Sequence, residues 1–298
     1  MERIITDEML ETFRQALYED EKRDATIKKY MRDVKKLKSF LGNREVSKEL
    51  LIKYKENLEQ CGKFKIRSIN SFLAAANRLC EVMGWHELRI KMIRVQRETF
   101  CPENKELTEI EYKRLIDSAM TIGDERLALI IQTLGSTGIR ISELQFITVE
   151  SLKAGIADIY NKGKMRKILY PSDLQKVLRE FCVKLKINSG PIFRTSSGRA
   201  VDRSNVWKAM KKLCIYAGVD EDKVYPHNLR HLFAKGFYRI KKDIAKLADV
   251  LHSSIETTRI YIKSTGKEHK KQLDMMRMVV IKSLCQRNLN SKQIYYQY

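Results

Sequence analysis

The chain has 298 residues, enough for two domains, and 43% of them are hydrophobic, close to the globular norm, so disorder is not expected. Lys and Arg number 58 against 37 Asp and Glu, a net charge of +21 that self-repels unless a polyanion offsets it, and the commonest cellular polyanion is nucleic acid. No apolar run is long enough to span a membrane, the start has no leader pattern, and the six scattered cysteines form no C-x-x-C pair, so the expectation is a reduced, cytoplasmic protein without metal, disulfide framework or membrane contact.

The first hundred residues carry mild positive charge and helical periodicity. Asp24 reads as an N-cap, and Ile27, Tyr30, Val34, Leu37 and Leu41 repeat at helical spacing until Gly42. Lys28, Lys29 and Arg32 lie on the other faces of that helix. A shorter helix is predicted from about Ser47 to Leu58, and a longer one is marked by Ile66, Ile69, Phe72, Leu73, Ala76, Leu79 and Met83, stopping at Gly84. Lys63, Lys65 and Arg67 stand in its first turn with no acid nearby. A helix start of that kind suits phosphate contact, so these six basic residues are the candidate DNA-binding set, with a solvated face as the alternative.

A joint is expected over residues 91–107, between a helical domain at 1–90 and a second domain at 108–298. The helical pattern lapses after Lys91, Pro102 blocks continuation, and Thr108-Glu109-Ile110-Glu111 forms a capping box that starts a new helix. The apolar run Leu127–Leu134, interrupted only by Gln132 and Thr133, predicts a buried helix ending at Gly135-Ser136-Thr137-Gly138. Residues 155–160 and 166–170 predict two strands around a turn at Asn161-Lys162-Gly163-Lys164. Pro191-Ile192-Phe193 predicts a short extended piece, and helical periodicity returns at Asn205–Ala217 and from His227 onward. The fold class expected is mainly α with a small antiparallel sheet.

Three of the five histidines, His227, His231 and His252, fall within 26 residues. In His227-Asn228-Leu229-Arg230-His231 an imidazole and a guanidinium share one helical face. Downstream stands His252-Ser253-Ser254-Ile255-Glu256-Thr257-Thr258-Arg259-Ile260-Tyr261. Upstream, Thr137-Gly138-Ile139-Arg140-Ile141-Ser142-Glu143-Leu144 places an arginine directly after a glycine turn.

These four motifs, T-G-I-R-x-S-E-L, K-G in a hairpin, H-x-L-R-H and H-S-x-x-x-T-T-x-x-Y, resemble in order and spacing the signature of the tyrosine recombinases, the phage integrase family. Asp24-x-Thr26-Ile27-x-x-Tyr30-x-x-Asp33-Val34 resembles the family's helical, SAM-like core-binding domain. Ser264-Thr265-Gly266-Lys267-Glu268-His269 is similar to the segment just after the tyrosine in integrases from mobile elements of low-GC Gram-positive bacteria.

The resemblance implies a site-specific recombinase with an α+β catalytic domain and no cofactor, which clamps double-stranded DNA as a dimer on each core site and a tetramer at the synapse. It assigns Tyr261 as the nucleophile that forms a 3′-phosphotyrosine, and Arg140 and Arg230 as the pair that binds the scissile phosphate. His227 matches the base-side position, and Lys162, with Lys164 two residues on as the alternative, matches the general acid. His252 matches a hydrogen-bond donor to the phosphate, while Glu143 and His231 match positions that orient their neighbours. Integration or excision of a mobile element is the outcome expected, with an accessory directionality factor as a possible further partner. A type IB topoisomerase-like relaxing activity and a catalytically inactive DNA-binding regulator are the alternatives.

Two features depart from or extend the pattern. The family usually reads Leu-Gly-His before the serine pair, whereas Val250-Leu251-His252 lacks the glycine. The segment after Tyr261, with Met275, Met276 and Met278 and ending in Tyr295-Tyr296-Gln297-Tyr298, is expected either to dock on a neighbouring protomer or to pack on its own chain.

Overall fold

A computed structural model describes residues 3–95, 105–161, 164–195, 197–262 and 266–276. The chain divides into two compact units between Arg97 and Glu98. Among the described residues no helix is long and apolar enough to cross a membrane.

The N-terminal unit is four helices, α1 (Asp7–Glu19), α2 (Asp24–Leu41), α3 (Lys48–Gln60) and α4 (Ile66–Val82). Each turns one apolar stripe inward. Phe13 and Leu17 of α1, Val34 and Leu37 of α2, Leu51 and Leu58 of α3 and Leu73 and Leu79 of α4 form a single core. The N-cap of α2 is Arg23, not Asp24. Asp24 instead opens the first turn, where its carboxylate offsets the positive end of the helix dipole. The long helix ends at Gly42, whose φ of +60° lies in the left-handed region that glycine tolerates.

After α4 the chain doubles back along it. The side-chain amide of Asn77 donates to the Ile90 carbonyl and accepts the Ile90 N–H, both at 2.9 Å. Asn70, two turns earlier, does the same with Ile93 at 2.8 and 2.9 Å. Two asparagines thus replace the missing partner strand for an extended segment that would otherwise leave backbone groups unpaired.

The C-terminal unit is built around α6 (Glu125–Thr137), whose residues from Leu127 to Ile131 are all buried. A helix apolar on every side has to sit inside the domain. Around it pack α5 (Glu109–Thr121), which begins in the predicted Thr108–Glu111 capping box, α8 (Ser172–Lys184), α9 (Arg203–Ala217) and α10 (Pro226–Lys241). The short α7 (Val149–Ala154) leads into a two-stranded antiparallel sheet, β1 (Ile156–Asn161) and β2 (Lys164–Leu169), with Ala157 opposite Ile168 and Ile159 opposite Arg166. The chain then ends its described part in α11 (Ile244–Leu251), α12 (Ile255–Tyr261) and α13 (Gly266–Met275).

Candidate active site

The site grows from the C-terminal end of α6. Gly138 closes that helix with φ at +62°, and a Cβ there would lie 2.4 Å from the Phe233 ring of α10, so both the turn and the close approach require glycine. The close approach lets the Arg230 guanidinium of α10 donate to the Gly138 carbonyl and, at 2.7 Å, to the Leu251 carbonyl at the end of α11. Two helix C-termini, each an electronegative end, therefore hold one buried guanidinium.

Arg140 follows Gly138 by two residues and leads into a two-turn 3₁₀ helix, Ile141–Phe146. The Glu143 carboxylate, fully buried, accepts the Arg140 backbone N–H at 2.7 Å and pairs with its guanidinium at 3.2 Å. That arrangement fixes both ends of Arg140 with one side chain. The same carboxylate is ion-paired with Arg166 of β2. Arg166 also donates to the Leu251 carbonyl at 3.2 Å. Two guanidiniums thus meet one carboxylate, and a third, Arg230, shares the Leu251 carbonyl with Arg166. The result is a desolvated excess of positive charge, and it holds the Arg166 and Arg230 pKa values below the usual guanidinium range, through burial first. For Arg166, where the value falls to about 10, the neighbouring guanidiniums add to the effect.

Arg166 is not among the residues the motifs single out. A signal is nonetheless present in β2, where burial alternates and Arg166 is in phase with Ile168 and Tyr170. A basic residue on the inward side of a strand has to find a buried partner.

Tyr261 ends α12 and is buried at 4% exposure. Its ring packs in a triangle with two imidazoles, its centroid 5.3 Å from His227 and 4.8 Å from His231, and it lies 5.4 Å from the Arg230 Cζ. The phenol and the Arg230 guanidinium are near enough to interact electrostatically. The motif residues ahead of it are capping groups. Ser254 accepts the Thr257 N–H at 3.2 Å, and buried Thr258 bonds Ser253 at 2.7 Å and the Ser254 carbonyl at 2.9 Å. Thr258 and Tyr261 are one turn apart, so the cap aims the phenol.

The two imidazoles differ. His227, partly enclosed, is held below its ordinary pKa by burial and then by the charges of Arg230 and Arg140, so it is neutral near pH 7 with an edge open to solvent. His231 is enclosed further and pushed down to about 4, by burial and then by His227, while a hydrogen bond to the Tyr261 backbone works in the opposite direction. His231 is a fixed neutral donor, and His227 is the imidazole free to take a proton.

His252 is left-handed, at φ 45° and ψ 57°, and its Nε2 lies 3.2 Å from the Lys167 carbonyl. A carbonyl only accepts, so Nε2 carries the proton and points at the protein. The missing glycine does not disturb this turn. Leu251 occupies the last helical position of α11, its buried side chain packs with Ala234, Leu247 and Tyr261, and the left-handed residue is His252 itself.

Six of the eight predicted catalytic and orienting residues converge directly: Arg140, Glu143, His227, Arg230, His231 and Tyr261. His252 stands beside them on Lys167. Lys162 lies outside the described residues, as do the side chain of Lys164, Met278 and the chain from residue 277 on. Met275 and Met276 are exposed. Of the candidate DNA-binding residues, Lys28, Lys63, Lys65 and Arg67 are exposed without a protein partner, while Lys29 and Arg32 both pair with buried Asp33, at 3.2 and 2.9 Å.

A buried phenol beside two arginines and a neutral imidazole, in a mainly helical domain, brings together groups that phosphoryl transfer to tyrosine would need. Residues 105–268 match the phage integrase family, and the chain belongs to it: it is a tyrosine recombinase, an enzyme of site-specific DNA recombination. Tyrosine recombinase XerA of Pyrococcus furiosus is 29% identical over 283 residues, covering 92% of this chain and 95% of that one. The fold is shared with the lambda integrase dimer bound to a COC′ core site (14% identity, TM-score 0.71, 88% and 96% of the two chains). It is shared also with the Tn1549 transposon integrase in complex with transposon right end DNA (15% identity, TM-score 0.66, 91% and 99%).

Proposed function

We propose that this recombinase cuts one strand of duplex DNA with Tyr261 and stores the bond as a 3′-phosphotyrosine. The Tyr261 oxygen attacks phosphorus, the bond to the 5′ oxygen breaks, and the phenolic proton passes to His227. Lys162, with Lys164 as the alternative, gives the leaving 5′ oxygen its proton. A 5′-hydroxyl from the partner strand then attacks the phosphotyrosine and gives its proton back to that lysine, the phenol leaves with a proton returned from His227, and the strand is resealed without ATP. Arg140 and Arg230 stabilise the charge that gathers on the non-bridging oxygens.

The observation that carries this reading is the Tyr261 phenol packed at once against the Arg230 guanidinium and the His227 and His231 imidazoles. His252 adds a phosphate hydrogen bond once its ring leaves the Lys167 carbonyl. Lys28, Lys63, Lys65 and Arg67 supply backbone contacts from the N-terminal unit, taken as residues 1–90 joined through 91–107 to the catalytic domain at 108–298. Two protomers hold each core site and four the synapse, a reading supported by the lambda integrase relative solved as a dimer on a core site. The element moved is a mobile one, integrated or excised, a reading supported by the Tn1549 transposon integrase sharing the fold. An accessory factor that sets direction is a further partner.

The test is covalent trapping. Wild-type protein is incubated with fragmented host DNA containing nicks, and covalently bound DNA is recovered and sequenced. Tyr261→Phe should yield no adduct while retaining DNA affinity, and the recovered sequence should map to the ends of one element. An adduct that persists in Tyr261→Phe overturns the nucleophile, and recovery of unrelated sequences favours a relaxing activity instead.

A further inference from the structure

Arg166 is buried, belongs to no motif of the site, and touches no group assigned to the reacting phosphate. Its two terminal nitrogens nonetheless reach the supports of both phosphate arginines. One pairs with Glu143, which holds the backbone and guanidinium of Arg140. The other donates to the Leu251 carbonyl, the same acceptor that takes Arg230 at 2.7 Å. The neighbouring residue of β2, Lys167, offers its carbonyl to His252. One strand position therefore spans the supports of Arg140 and Arg230, and the next holds His252.

Stability does not account for it. A third guanidinium in this cluster repels the other two, and the Nε–H groups of both Arg166 and Arg230 are buried with no acceptor. Glu143 would still have Arg140 as a partner without Arg166, so the carboxylate does not need the third guanidinium to avoid being an unpaired buried charge. A lysine could reach one of the two acceptors but not both, because only the planar fork presents two donors at fixed spacing.

We propose that Arg166 is a positioning residue that sets the separation of Arg140 and Arg230, so that both guanidiniums meet one scissile phosphate. The assignment rests on the recombinase reading above. A small change in that separation weakens contacts made mainly in the transition state and leaves DNA binding alone.

The experiment uses the full chain and a nicked duplex of the sequence recovered by trapping, and follows the rate of covalent adduct formation. Arg166→Lys, which keeps a charge beside Glu143, and Arg166→Met should each cleave at least about tenfold more slowly with unchanged DNA affinity, the lysine variant at a melting temperature near wild type. A second duplex carries a methyl group in place of one non-bridging oxygen at the scissile position. That phosphorus centre lacks the charge the arginines stabilise, so the variants' deficit should shrink to within about threefold on it. Wild-type protein that forms no adduct overturns the recombinase reading and this assignment with it. Wild-type cleavage with Arg166→Lys equally fast overturns the assignment alone. A deficit undiminished on the methylated duplex, or one matched by a fallen melting temperature in both variants, makes Arg166 structural and also overturns it.

Discussion

The two units of this chain use positive charge in opposite ways. Among the described residues of the N-terminal unit the core is apolar apart from Asp33, and none of the lysines and arginines is buried: Lys28, Lys63, Lys65 and Arg67 are exposed, Lys29 and Arg32 pair with Asp33, and others pair with carboxylates outside the core. In the C-terminal unit the decisive cations, Arg166 and Arg230, are at most 7% exposed and share acceptors that are themselves buried. Water screens the first set, which can hold a long polyanion anywhere along its backbone. The second set is desolvated and fixed, so its field acts at one point and needs no reorganisation when charge develops there. Surface charge and buried charge are therefore different quantities in one molecule.

The contrast can be broken most forcefully at Arg230. Arg230→Lys keeps the charge but loses the fork that reaches the Gly138 and Leu251 carbonyls, and should slow adduct formation roughly 10²–10³-fold with DNA affinity little changed. An equal loss in affinity would mean that the buried set also carries binding. Leu251→Ala addresses the packing under the site. Removing that buried side chain should destabilise the C-terminal unit by about 2–5 kcal/mol in denaturant melts while the N-terminal unit melts as before. A cost near zero would restore the view that this position is meant for glycine.

His231 supplies a pH-dependent difference between the units. Its pKa of about 4 in the folded protein lies below the ordinary 6.5, so between those values the unfolded chain binds a proton that the folded one refuses. The stability present above about pH 6.5 is then lost as pH falls toward 4, by up to roughly 3 kcal/mol. His231→Gln should flatten that limb for the C-terminal unit. An unchanged pH profile would show that the imidazole is not desolvated. The smallest effect belongs to the surface set. Lys63→Ala, Lys65→Ala and Arg67→Ala together should leave adduct chemistry on bound DNA intact and lower the slope of log affinity against log salt by about 1 per residue that contacts phosphate. An unchanged slope would return these side chains to the solvated face.

Most of the helices and the hairpin are legible in the sequence because periodicity and caps are local. Thr108–Glu111, Gly42 and Gly138 each mark an end by chemistry that acts within four residues. The site residues are legible only through their order along the chain, since nothing local brings Arg140 to Arg230 across 90 positions. Arg166 stayed hidden for the same reason. Its partners, Glu143 and Leu251, are 23 and 85 residues away, and the strand is too short for one out-of-pattern residue to stand out. The Leu251 substitution misleads in the opposite direction, because a missing glycine suggests a disturbed turn when the left-handed conformation falls one residue later. The asparagine clasp of Asn70 and Asn77 on Ile93 and Ile90 has no signature beyond two amides two turns apart.

The left-handed backbone at His252 limits what any replacement there can report. Among side chains other than glycine, histidine, asparagine and aspartate tolerate that conformation best, while valine, isoleucine and threonine crowd their own carbonyl. Substitutions at position 252 will therefore sort first by torsional compatibility and only then by hydrogen-bonding chemistry. Asparagine keeps the turn and a donor while removing the ring, so it separates the imidazole's contribution from that of the backbone. A β-branched residue loses both at once, and its effect belongs as much to the peptide unit as to the side chain.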